Sequence, residues 1–423
     1  MIKKLILLLS IVIALSMMVS AQQVEGQFWR TYWYQRGSEF GNPGLEKRVH
    51  VNSPETVLHP NFGQLPEARE NGMIQIPVSE DLRQIIRAEF YLELWGGNPG
   101  TANKRVSVNG RNTYPLQEIG TFGRNYTHQY PTVYLQPSDL VNGFNAFQFA
   151  CDRGQSSRGH FIVNEAALKL GLRRDHPDLK QAGLMGFNAL IKAESVPGNF
   201  EAIRLKLHSS DEAMIGSVEY QSFYNGYDEN GDSIGYGWHG MTKAKEPYGS
   251  IGVSKGAPFT VDWETSMLPE QQEMAMRAVV TFKDNPNLSF ITPVIGGLSI
   301  QKPKGRRVQL YVPRNLPVPF AASANQKKNC TIDLDVESPN IERAELNIVV
   351  WNSGTGSGKN TFTINGYPVE ISDQPKGEAL FSRIVIDPKI LKRGANQLEL
   401  ISETENQGIE ILLPGPALMI RSK

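Results

Sequence analysis

Short runs in which apolar and polar residues alternate, each closed by Gly, Pro, Asn or Asp, recur along most of the chain. Alternation with period two puts successive side chains on opposite faces of an extended strand. Ala88 to Leu94, Ile203 to Leu207, Ser217 to Phe223, Phe259 to Trp263, Met274 to Phe282 and Glu345 to Val350 all read as strands. No long segment carries the 3.6-residue period of an amphipathic helix. With 39 glycines and 26 prolines to make turns, the pattern predicts antiparallel sandwiches or jelly rolls.

The pattern also repeats. Arg87-Ala-Glu-Phe-Tyr-Leu-Glu-Leu-Trp95 aligns with Arg343-Ala-Glu-Leu-Asn-Ile-Val-Val-Trp351 at an offset of 256, and carrying the alignment to Asn109-Gly110 and Asn365-Gly366 gives seven identities in 24 positions. A second block pairs Pro137, Leu140, Gly143 and Asn145 with Pro388, Leu391, Gly394 and Asn396. A third pairs Ala167-Leu168 with Ala417-Leu418. Three blocks in one order predict one domain type used twice.

Asn-Gly tolerates the positive φ angles of a tight hairpin, and Pro-x-x-Leu-x-x-Gly-x-Asn has turn chemistry throughout. A strand ending in Asn-Gly, followed by that segment and an alternating strand, resembles the galactose-binding-like jelly roll. That superfamily includes many carbohydrate-binding modules and the sugar-binding domains of glycoside hydrolases. The resemblance covers about 60–175 and 305–423, and it implies the fold without identifying a ligand. Residues 180–302 match neither copy. Trp263-Glu-Thr-Ser-Met and Met276-Arg277-Ala278 look like late strands of an immunoglobulin-like or fibronectin-like module that lacks the paired cysteines of antibody domains.

The expected architecture is all-β: two duplicated jelly-roll sandwiches flanking an Ig-like β-sandwich. Residues 1–21 are expected to be a signal peptide, with Lys3 and Lys4 before an apolar run and Val19-Ser20-Ala21 at the cleavage site. The apolar run is about 15 residues, short of the roughly 20 of a membrane span. Residues 22–59 are an aromatic-rich N-terminal segment, Phe28 to Tyr34, packed on the sandwiches. Jelly roll 1 is placed at 60–175, the Ig-like sandwich at 180–302 and jelly roll 2 at 305–423.

Composition narrows the function classes. Lys+Arg and Asp+Glu are 43 each, and no basic stripe interrupts the balance, so nucleic acid is not an expected partner. Cys151 and Cys330 are the only cysteines, which excludes a disulfide scaffold and a clustered thiolate metal site. Two buried free thiols are expected. Stable membrane insertion is not.

Candidate chemistry lies on loops. Asp228, Asn230 and Asp232 space three oxygen ligands like the start of a calcium loop, but Ser233 and His239 stand where an EF-hand needs Gly and an acid. A plain Asn-Gly hairpin is the alternative. Tyr236, Trp238 and His239 follow on a Gly-rich stretch that suits stacking on a sugar ring. The first copy runs 27 positions from Gly110 to Pro137, against 22 from Gly366 to Pro388 in the second. Its extra length holds Arg124, Tyr126, His128 and Tyr130, aromatic and polar together. Packing against a neighbouring domain competes with sugar binding for this loop, and Trp95 and Trp351 read as core anchors.

These features support a secreted or periplasmic carbohydrate-binding protein, an accessory to polysaccharide capture or degradation, whose partner is a polysaccharide or other glycan. Two alternatives stay open. One is an exported polysaccharide-degrading enzyme, a glycoside hydrolase or lyase, with an inter-domain site. The other is a structural or assembly protein of the cell surface. No paired carboxylates with the opposed geometry of glycoside hydrolysis are evident in the sequence, and no cofactor is expected beyond the candidate calcium.

Overall fold

In the structure, a computed structural model, the described residues are 25–34, 49–51, 72–97, 101–117, 127–152, 161–196, 199–227, 235–239, 251–323, 326–352, 360–371, 379–402 and 409–423, without the side chains of 50, 199, 200, 236, 239, 352 and 360. The expected signal segment, the Asp228–Asp232 stretch and residues 118–126 lie outside them. The regular structure of the described residues is nearly all strand, in several sheets that pack as sandwiches, and none of their helices is long and apolar enough to cross a membrane.

The first unit runs β1 (Gln27–Trp33), β2 (Val49–Val51), β3 (Met73–Val78), β4 (Ile85–Trp95), β5 (Ala102–Val108), β6 (Asn112–Pro115), β7 (His128–Gln129), β8 (Thr132–Leu135), β9 (Gly143–Asp152) and β10 (Phe161–Leu172). After a short helix α1 (Pro177–Gln181), the middle unit runs β11 (Ala189–Val196), β12 (Asn199–Ser209), β13 (Ile215–Gly226), β14 (Gly235–His239), β15 (Gly252–Ser254), β16 (Thr260–Glu264), β17 (Gln271–Phe282), β18 (Leu288–Ile291) and β19 (Ile295–Ile300). The last unit runs β20 (Arg307–Tyr311), β21 (Phe320–Ala321), β22 (Gln326–Leu334), β23 (Ile341–Asn352), β24 (Asn360–Ile364), β25 (Tyr367–Val369), β26 (Ala379–Ile386), β27 (Gly394–Ser402), β28 (Ile409–Ile411) and β29 (Ala417–Ser422).

The first and last units share a pairing order. One has a sheet β3-β9-β5-β6, the other β22-β27-β24-β25. In the facing sheets, β4 lies between β10 and β8, and β23 between β29 and β26. Both Asn-Gly pairs adopt the positive φ their residue types allow: 49° and 66° at Asn109 and Gly110, 53° and 84° at Asn365 and Gly366.

The turn motif has a further role. Asn109 donates 2.8 Å hydrogen bonds to Asn145 Oδ1 and the Asp139 carbonyl, and its own Oδ1 accepts from Ala146 N. Asn145 accepts from Val141 N and donates to the carbonyls of Val141 and Gly143. Asn365 and Asn396 repeat this scheme with Ile390, Gln397, Lys392 and Gly394. Asn145 and Asn396 are both fully buried, so every amide bond matters.

The middle unit closes differently. The sheet β11-β12-β16 covers one half of a 12-stranded sheet ordered β14-β13-β17-β18-β1-β10-β4-β7. Strand β1 joins the halves. It pairs with β10 through Phe28↔Leu172 to Trp33↔Ala167, and with β18 through Gln27↔Ile291 to Arg30↔Leu288. Phe28 is buried among Phe187, Phe282 and Phe290, with ring centroids 5.0–6.5 Å away. A single apolar cluster therefore runs from Ile74 and Phe149 in the first unit to Leu207 and Met274 in the middle one. The units expected as two sandwiches share one core, because β1 is bonded on both edges and lays Phe28, with Tyr34 just past its end, into that cluster.

The last unit has its own core and docks on both others. Tyr227 stacks on Phe381 at 5.4 Å and donates to the Gly415 carbonyl at 3.0 Å. Arg421 pairs with Glu201 at 2.7 Å, and Thr127 bridges to Leu413. Trp95 and Trp351 both pack against this interface cluster, outside the sandwich cores. That corrects their reading as core anchors: Ala88, Phe90, Leu92 and Leu94 face inward, so Trp95 must face out. Both cysteines are buried and free.

Two outcomes are expected. Phe28→Ala lowers stability by about 4 kcal/mol, read as a lower urea midpoint for a transition that reports the first and middle units together. Asn145→Ala and Asn396→Ala each cost about 3 kcal/mol by leaving buried backbone groups unpaired, read by urea titration followed by circular dichroism.

Candidate functional site

The outer face of the 12-stranded sheet, opposite the core, is polar and aromatic. In register across three strands lie Tyr134 of β8, Glu89 of β4 and Lys169 of β10, and Thr31 of β1 continues the row. Tyr91 lies on the same face, its ring meeting Trp33 edge-on at 6.2 Å, with Lys169 Nζ 5.0 Å from its centroid. From the middle unit come Arg277 of β17, paired with Gln221 of β13, and Trp238 of β14, paired with Phe223.

These side chains form a chain of contacts. The Arg277 guanidinium lies 4.2 Å over the Trp238 ring, and its Nε donates to Gln221 Oε1 at 2.8 Å. Gln221 Nε2 reaches Glu219 Oε1 at 3.3 Å. Phe223 meets Trp238 edge-on at 5.7 Å. Glu89 and Glu219 are the charges that act on Arg277 from this face. Glu89, Lys169 and Arg277 are enclosed, yet each keeps some accessible surface. The face is a cleft.

Enclosure sets the acid–base character. Burial pushes the Glu89 carboxyl above the usual carboxylate range, against the pull of Lys169, Arg277 and Arg87. Burial also draws the Lys169 amine down, opposed by Glu89 and Glu219 and assisted by Arg277. Arg277 is lowered by the same cause and remains a cation. One cleft thus holds a carboxyl displaced toward its acid form beside an amine displaced toward its free base.

The residues singled out from sequence fare unevenly. Trp238 is half-buried in the cleft. Tyr236 and His239 share its strand, but only their backbones are described. Arg124 and Tyr126, and the calcium candidates Asp228, Asn230 and Asp232, lie outside the described residues. His128 lies inside the first unit. It is 6% exposed, pairs with Trp95 in β7, and engages Tyr130 Oη at 2.8 Å and Asn164 at 3.1 Å through its two ring nitrogens. These partners all belong to the first unit. Glu89, Lys169, Arg277, Glu219 and Gln221 were not picked out from sequence. Strand parity places each opposite its core neighbours, and that was the available signal.

A second cluster lies where β1 meets the linker. Glu80, His176 and Asp178 bring three potential metal ligands together. Arg30 already lies 2.7 Å from both carboxylates, and Tyr32 donates to Glu80 at 2.9 Å. The His176 Nε2 to Glu80 Oε2 contact is short, at 3.1 Å, but misaligned, so it acts as a polar contact rather than a hydrogen bond. With a guanidinium supplying the positive charge, the cluster is a tie between β1 and the linker.

No family model matches the chain, and no curated protein matches it. Among solved structures it is similar to a β-porphyranase of glycoside hydrolase family 86 from the human gut bacterium Bacteroides plebeius, at 15% identity over 55% of this chain and 36% of that one, with a TM-score of 0.25. An exo-β-1,3-galactanase from Phanerochaete chrysosporium is 10% identical over 74% of this chain and 78% of that one, with a TM-score of 0.18. The infectious bursal disease virus Gt strain structure is 9% identical over 95% of this chain and 72% of that one, at 0.21. The chain spans about a third of the length of the porphyranase. Likeness at this level carries no argument about substrate or activity.

The coupling of Glu89 and Lys169 is testable. Lys169 is expected to titrate below the exposed lysines, read by carbon-13 NMR of reductively methylated protein. Glu89→Gln removes the charge that opposes the shift, so the Lys169 pKa falls further. A Lys169 resonance that titrates with the surface lysines contradicts the enclosed cleft.

Proposed function

We propose that the chain is an exported glycan-binding protein that holds a saccharide in the cleft on the outer face of its 12-stranded sheet. The observation that carries this reading is the run Trp238–Arg277–Gln221–Glu219, which sets an aromatic ring, a guanidinium, an amide and a carboxylate side by side on one sheet face. Sugars present apolar C–H faces to rings and hydroxyls to groups that donate or accept. Rigid strands hold these groups in place before a ligand arrives, which lowers the ordering cost of binding. Export rests on the sequence of residues 1–21, and the resemblance of 60–175 and 305–423 to carbohydrate-binding jelly rolls points the same way.

A second reading is favoured by one observation. Glu89 and Lys169 face each other in register and are displaced in opposite directions. Such a pair is displaced in the directions that the acid and the base of polysaccharide hydrolysis or elimination require. Tyr134, on the other side of Glu89, has a ring 74% exposed and open to a ligand.

One experiment separates the readings. The mature protein is run through gels carrying a broad panel of polysaccharides and is expected to be retarded by at least one. Trp238→Ala weakens that retention at least tenfold, while Glu89→Gln leaves it within about twofold. Release of reducing ends or unsaturated products, abolished by Glu89→Gln, moves the assignment to the enzyme. Neither retention nor turnover across the panel removes both and leaves an assembly role.

A further inference from the structure

The two units with the same pairing order differ at one place where the first is filled and the last is open. In the last unit a groove of about 620 Å³ lies between β25 and β26, lined by residues 367–370, 384–387 and 390. In the first unit the matching strands are β6 and β8. The sheet registers give the correspondence directly. Val106 pairs with Tyr114 as Phe362 pairs with Val369, and Val108 pairs with Asn112 as Ile364 pairs with Tyr367. Asp139 corresponds to Ile390 by the spacing from Pro137 and Pro388.

Tyr114 and Asp139 close the first unit's gap. The Tyr114 hydroxyl donates to Asp139 and accepts from Gln136 N at 3.0 Å, while Asn112 donates to the same carboxylate at 2.8 Å. Asp139 is 3% exposed beneath them. In the last unit all three plug residues are replaced: Asn112 by Tyr367, Tyr114 by Val369 and Asp139 by Ile390. The phenol that bridged the strands is gone, and an aromatic ring 56% exposed stands at the rim instead.

We infer that this groove is a second saccharide site, selective for neutral sugars over anionic ones. Tyr367 and Pro368 offer a flat apolar rim for a sugar's C–H face. Among the described residues, Glu370 and Asp387 are the charged groups of the lining, and no cationic side chain lines it. Carboxylates only accept hydrogen bonds, so they suit hydroxyl donors and repel sulfate or uronate groups. The cleft on the 12-stranded sheet, with Lys169 and Arg277, lacks that bias. The inference extends the glycan reading to a separate surface and rests on it only for the class of ligand.

The test restores the plug. Val369→Tyr with Ile390→Asp, made in the full chain carrying Trp238→Ala, rebuilds two of the three residues that the first unit accommodates in this geometry. Binding is measured by calorimetry with neutral cello-, laminari-, manno- and agaro-oligosaccharides, and with a sulfated or uronate oligosaccharide of equal length. The Trp238→Ala protein is expected to keep binding at least one neutral ligand and to bind the anionic one at least tenfold more weakly. Restoring the plug, or Tyr367→Ala alone, removes the remaining neutral binding, with an unchanged circular dichroism spectrum showing that the fold is kept. Residual binding that survives the plug overturns the inference, as does equal affinity for the anionic ligand. Displacement of the neutral sugar by a basic peptide would reassign the groove to a protein partner. If Trp238→Ala alone abolishes all binding, the second site fails while the cleft stands. If the plug alone abolishes it and Trp238→Ala does nothing, the cleft fails while the groove stands.

Discussion

Everything in the first two-thirds of the structure depends on β1 having partners on both edges. Its backbone is hydrogen-bonded to β10 on one side and β18 on the other, so two sheets become one. Its side chains work in the same direction. Phe28 fills the core beneath, Arg30 and Tyr32 tie into Glu80 and Asp178 at the linker, and Trp33 meets Tyr91 edge-on on the upper face. A strand bonded at both edges and packed on both faces has little freedom to leave. The cleft exists because of this join, since Glu89 and Lys169 come from one side of β1 and Arg277 and Trp238 from the other.

The repeated unit shows how a fold is kept while a surface diverges. The asparagine scheme that fastens the Asn-Gly turn to the Pro-x-x-Leu-x-x-Gly-x-Asn segment is the same in both units, bond for bond. Buried amides with several backbone partners are costly to alter, since any replacement strands groups in a dry interior. The neighbouring Tyr114 position is under no such constraint. Whether a phenol or a valine stands there decides whether the gap between two strands is closed or open to solvent. Framework and surface shape therefore sit within a few residues of each other and answer to different physics.

Much of the fold was readable in the chain. Alternation located the long strands, and Asn109-Gly110 and Asn365-Gly366 take the backbone angles their residue types favour. The aromatic strand was legible as packed against the sandwiches but not as shared between them. Phe28 and Trp29 are large on opposite faces, and a strand apolar on both faces does not announce its neighbours. The site was harder. Glu89, Lys169 and Arg277 fall on the polar phase of their strands, where most such residues are plain solvent-facing charges. Only the joining of two units through β1 puts them on one face, and that leaves no mark in local sequence. Trp95 and Trp351 were misplaced for a simpler reason: parity with Phe90 and Leu94 puts Trp95 outside, and counting along the strand would have shown it.

The edge pairings of β1 also set an order in time. The strand is made early, yet Arg30 finds its cross-strand neighbour Leu288 only 258 residues later. Until then an aromatic stretch with open hydrogen-bonding edges must wait, and closing so long a loop slows a β-rich chain. A segment made 258 residues before its neighbour is thus locked on that edge only once the neighbour exists, and until then the edge is open to other strands.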